Sequence, residues 1–156
     1  MGEFRSIEDL ATQVGHFCWL EHRLFELTGA WASEPAPGVA GVNAYFHALS
    51  IGHGSLAVQW CSHLPVRAGI DPDSLVVPSP GSAETALASL ADATDQVARL
   101  HGLVTVLLPR LLVTYDEDLA HASPVSETPI RSLLEVAAFR GRRALPLRPA
   151  GDDSAR

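Results

Sequence analysis

The chain has no lysine: its 11 cationic side chains are all arginine, which points to a source genome of strongly biased base composition. It has only two cysteines, Cys18 and Cys61, each inside an apolar helical pattern. Two buried thiols are therefore expected, and no disulfide framework. No apolar signal core follows Glu3, Phe4 and Arg5, and the longest greasy stretch, Leu103 to Leu108, is cut by Pro109. The expectation is a cytoplasmic protein, neither secreted nor membrane-spanning. There is also no phosphate-cradling glycine loop, nucleophile elbow, Cys-x-x-Cys pair or dinucleotide fingerprint, so hydrolase, kinase and dehydrogenase classes lose support. Apolar residues do not alternate, and Leu75-Val76-Val77 is too short to found a sheet.

What is present suits one packed domain. At 156 residues, 47% hydrophobic and 19% charged, the chain can bury a real core. Its charge is uneven: residues 1 to 130 carry 15 acids against 5 arginines, and residues 131 to 156 carry 3 acids against 6. An acidic body repels phosphate backbones, so nucleic acid is not an expected partner, the cluster of Arg140, Arg142, Arg143 and Arg148 being the one exception to weigh. At a helix end those arginines suit the helix dipole.

Four helices account for the apolar periodicity. The first is predicted over about residues 6 to 32, with Ser6 and Asp9 as a capping-box variant and Pro35 to Gly38 as its stop. The second runs from about Val42 to His63 and closes at Leu64-Pro65. Gly52 and Gly54 in its middle imply close packing or room for something beside the backbone. Residues 65 to 81 form a crossing loop. A third helix extends from Ser82 to about residue 120 with a kink at Pro109, and a fourth begins at Thr128-Pro129 and ends near Ala144 or Leu145. Four amphipathic helices predict an all-α, antiparallel up-and-down four-helix bundle over residues 1–145, with a frayed tail at 146–156. Trp19, Trp31 and Leu27 fall off the first helix's main stripe and are candidates for a homodimer contact.

One polar residue from each helix interrupts the inward faces: Glu21, His53, His101 and Glu135. Glu21 lies 11 residues before the end of the first helix and His53 lies 11 after the start of the second, so at ~1.5 Å per residue they share a depth. Carboxylates and imidazoles converging from facing helices hold iron or manganese in such bundles, because a dry core makes an unpaired carboxylate expensive. The alternative is a layer satisfied without any ion, with Glu21 paired to a histidine, to Arg99 or to Arg110. Asp118 and His121 share a face but read as a solvated helix end.

The stretch His53 to Pro65, with Trp60-Cys61-Ser62-His63-Leu64-Pro65 at its end, resembles small bacterial members of the ferritin-like superfamily. Leu107-Leu108-Pro109-Arg110 and Ala122 to Pro129 carry the rest of the resemblance, which lies within residues 6 to about 140. It implies a bundle whose ligands come from facing helices. Glu21 matches a ligand position, whereas Ser50 and Ala138 stand where Glu-x-x-His pairs would have a glutamate and a histidine. Three functions follow as expectations: a non-catalytic or accessory bundle, an iron- or manganese-dependent oxidoreductase, or a binder of a small molecule between the second and third helices.

Overall fold

The computed structural model describes residues 5–36 and 40–145; Glu3, Phe4, Pro37, Gly38, Arg148 and the expected tail at 146–156 lie outside that range. Among the described residues the chain is helical and has no strand, only an isolated bridge between Arg67 and Ile70. Helix α1 spans Ile7–Ala32, and the Ser6–Asp9 capping box closes its start as expected. Its buried face carries Val14, Phe17, Cys18, Glu21, Leu24, Thr28 and Trp31, spaced three and four apart. Helix α2 spans Val42–Ser62; it begins after Gly41, whose positive φ of 81° suits glycine.

The two helices form a hairpin in which each step along α1 is matched by a step back along α2. Trp31 packs on Phe46, the Ser50 hydroxyl donates to the Phe25 carbonyl at 3.0 Å, Glu21 meets His53, and Cys18 meets Cys61. The cysteines are joined as a disulfide with their Cα atoms 5.4 Å apart, which corrects the expectation of two free thiols. Hairpin register explains this: the two residues stand opposite one another at its open end, although Cys61 lies on an exposed side of α2. Trp31 is also a correction. It is 2% exposed and belongs to the core, and Trp19 and Leu27 are half-buried against that core, so the three do not form an outward aromatic patch.

The chain then returns along the hairpin. A 3-10 turn over Pro72–Leu75 presses the Leu75 carbonyl against Gly15 so closely that a Cβ there would overlap it, and α3 (Ser82–Ala91) follows. The expected third helix does not continue through residues 92 to 95. Asp95 adopts extended backbone and its carboxylate accepts the Ala98 N–H at 3.1 Å, so a new helix starts there. This is α4 (Gln96–Gly102), which passes through a π turn (Leu103–Leu107) into α5 (Leu108–His121). The Leu108 N–H bonds to the Leu103 carbonyl, so the helix meets Pro109 with a widened turn beforehand. Helix α6 (Thr128–Ala144) starts at Thr128-Pro129 as expected; Glu127 holds the N-cap position without a side-chain capping bond, and the Thr128 hydroxyl donates back to the Pro124 carbonyl.

Directions follow from the contacts. The end of α1 is met by the start of α2, through Asn43 to the Glu34 carbonyl, and by the start of α4, through Gln96 to the Trp31 carbonyl at 2.8 Å. At the other end Arg5 reaches Asp118 of α5. Helix α6 runs back along α5, from Arg131 against the Leu119 carbonyl to Arg142 against Asp116, and ends where the Tyr45 hydroxyl donates to the Ala144 carbonyl. Helices α2 and α4–α5 therefore run one way, α1 and α6 the other. The expected up-and-down alternation is corrected to a path with one long crossover over residues 63–95. The continuous stretch Gln96–His121 contains an 18-residue window of mean hydropathy 1.4, long and apolar enough to cross a membrane; Leu103, Leu107, Leu108 and Leu111 of the stretch are buried in the helical core, and 28% of the window is buried in all.

Candidate functional site

Glu21 is fully buried, and both its carboxylate oxygens are engaged. His53 Nδ1 lies 2.5 Å from Oε2, and the Tyr115 hydroxyl donates to Oε1. Three helices supply the three groups, Glu21 from α1, His53 from α2 and Tyr115 from α5. Tyr115 packs in an aromatic cluster with Phe17, 4.9 Å away between ring centroids, and with Trp60, parallel to it at 6.4 Å, while Phe17 and Trp60 stack on each other at 4.7 Å. Burial, and then the charge of Glu21 beside it, push the Tyr115 hydroxyl well above the ordinary phenol range, so it remains a donor. With Glu21 as carboxylate, His53 donates from Nδ1, leaving Nε2 as the free ring nitrogen. Among the described residues no hydrogen-bond partner reaches Nε2.

These groups form the polar floor of an open cavity of about 370 Å³ lined by α2, α5 and α6. Its walls are apolar, chiefly Leu49, Leu56, Leu108, Leu111, Leu112 and Ala137. Exposed Ala48, Phe139, Arg140 and Arg143 make its mouth. The two glycines of α2 divide the alternatives the sequence offered. A Cβ on Gly54 would sit 2.8 Å from the Phe25 ring, a close-packing site, whereas a Cβ on Gly52 would meet nothing within 4 Å and would face the cavity it lines. A volume of this size falls within the ~300–1,000 Å³ usual for small-molecule sites.

The expected four-residue layer is brought together only in half. Glu21 and His53 meet as depth matching predicted. His101 is exposed on α4, and Glu135 is exposed on α6, where it pairs with Arg131 at 3.4 Å. Both point away from the layer because the break at residues 92–95 and the crossover set helix levels that counting from a single loop cannot give. Arg99, considered as a partner for Glu21, is instead buried under Trp31 and bonded to Glu34 at 2.5 Å. Arg110 lines separate surface depressions beside Thr114.

This donor set does not fit the iron or manganese site expected. Glu21 would have to release His53 and Tyr115 to ligate, His53 offers one nitrogen, and among the described residues no three His, Cys, Asp or Glu side chains come together as ligands. At the far end of α5, His121 is the solvated last-turn residue expected, its Nδ1 2.6 Å from the Glu117 carbonyl. Asp118 is not solvated. Partly buried near Arg5 and Glu127, it has its carboxyl raised above the usual range by that burial, against the lowering effect of a bond from Gln13 and the charge of Arg5.

Sequence reasoning missed Tyr115, and it singled out Arg140 and Arg143 only as part of a basic cluster at a helix end, not as the mouth of a cavity. Tyr115 continues the stripe Leu108, Leu111, Leu112 by one further turn, and that spacing was available to find it. No protein-family profile, curated protein or solved structure matches the chain.

Proposed function

We propose that this is a non-catalytic helical-bundle protein of ferritin-like descent that binds a small apolar molecule in the cavity between α2, α5 and α6. The carrying observation is the cavity itself: about 370 Å³ of apolar space that stops at the Glu21, His53 and Tyr115 floor and opens beside two arginines. An apolar cleft of this size with a few convergent polar groups at its base has the form of a small-molecule site, and Gly52 adds to its open space. The connectivity, two hairpins joined by one long crossover, is one that ferritin-like bundles also have. In place of a metal, the polar layer uses Tyr115 and His53 to satisfy the Glu21 carboxylate.

The test is binding of 1-aminoanthracene, a neutral apolar fluorophore, to the wild type and to Gly52→Leu. A Cβ at residue 52 meets nothing within 4 Å, so a leucine there grows into the cavity, and the variant melts no lower than the wild type while saturable binding disappears. Absence of saturable binding in the wild type, or equal binding in both proteins, overturns the reading.

A further inference from the structure

The mouth of the cavity is chemically unlike its walls, and its charge opposes that of the body. Residues 140 to 143 read Arg-Gly-Arg-Arg, and the helix sends them to two sides. Arg142 faces α5 and is neutralised by Asp116. Arg140 and Arg143, three residues apart and so on one face, line the cavity, and among the described residues neither has an acidic partner. Arg143 is steadied by the Phe139 ring, with its guanidinium carbon 5.8 Å from the ring centroid. Gly141 between them has no side chain, and a Cβ there would run into Leu112 at 2.8 Å, so close approach to α5 fixes the level at which the two arginines stand.

The interior carries no compensating charge for a cation. Glu21 is the one acid among the lining residues, and both its oxygens already accept hydrogen bonds. We infer that the ligand is an apolar molecule with a single anionic head of the carboxylate class, its chain among the leucines and its head at Arg140 and Arg143. This rests on the cavity being a ligand site. Guanidinium groups hold a carboxylate through paired N–H donors, and unpaired arginines concentrate anions at one point of an otherwise acidic surface.

The experiment compares octanoate with 1-octanol, which share a chain and differ in head, by calorimetric titration at low salt into the wild type, Gly52→Leu and the Arg140→Gln/Arg143→Gln double variant. Octanoate is expected to bind the wild type about tenfold more tightly than 1-octanol, a preference that shrinks as salt is added. In the double variant octanoate falls to the level of 1-octanol, whose own affinity stays unchanged, and Gly52→Leu binds neither. If 1-octanol binds the wild type as well as octanoate, and Gly52→Leu blocks both, the cavity reading stands and the anionic head is overturned. If neither binds the wild type, both are overturned.

Discussion

The side of α2 that faces α1 and the side that faces α5 and α6 are packed under different rules. Toward α1 the contacts close completely: Gly54 lets the Phe25 ring in, Ser50 bonds the backbone opposite, Trp31 packs on Phe46, and a disulfide ties the open end. Toward α5 and α6 the same helix leaves a cavity of about 370 Å³, with Gly52 contributing space instead of contact. Two glycines two residues apart thus serve opposite purposes. The buried pair of Glu21 and His53 sits at the seam between the two sides, and Tyr115 ties that seam to α5. The lesson is that a helix can be stabilised on one face strongly enough to leave its other face incompletely filled.

The contrast can be broken at its seam. Glu21→Ala removes the shared acceptor of the His53 and Tyr115 donors, and removing one partner of such a buried cluster costs about 3–5 kcal/mol, to be read from urea denaturation. Next in size is the disulfide. Its cysteines are 43 residues apart, and opening a loop of that length costs roughly 2–4 kcal/mol in unfolded-chain entropy, so reduction or Cys18→Ser/Cys61→Ser lowers the urea midpoint without altering helix content. A disulfide-free variant as stable as the wild type would show that hairpin packing alone holds the closed face.

Smaller effects sharpen the two-faced view. Gly52→Ala enters open space and stabilises the helix by about 0.5–1 kcal/mol, whereas Gly54→Ala gains the same propensity but loses it against the Phe25 ring and comes out neutral or unfavourable. Equal thermal shifts for the pair would remove the distinction. Tyr115 adds a pH signature. Its folded pKa lies above the unfolded value of about 10, so its stabilising effect is complete below that value and is lost as pH rises toward the folded one. Alkaline melting should therefore decline from about pH 10 upward in the wild type, with a shallower decline in Tyr115→Phe, although that variant starts less stable.

Much of the local structure was legible because its causes are local. The three- and four-residue spacing gave the first two helices nearly to their ends, and Ser6 with Asp9 marked a cap that forms. Glu21 and His53 could be matched because a single short connection fixes the register of their hairpin. His101 and Glu135 could not, since their levels depend on the crossover and on the new helix start at Asp95, which are settled by packing far away in sequence. The cysteine pairing was hidden for a different reason. Each cysteine reads as a small apolar residue on its own helix, and only the hairpin's register puts the two opposite one another.

The disulfide also governs how the molecule would respond to being pulled by its ends, as when threaded through an unfolding machine. Tension carried along the backbone enters at residue 18 and leaves at residue 61 through the S–S bond, so the segment between them bears no load. Glu21 and His53 lie inside that shielded ring, and Tyr115 and the cavity's α5–α6 wall lie outside it. An oxidised chain would give up its cavity wall while the covalent ring stayed closed, and a reduced chain would extend throughout.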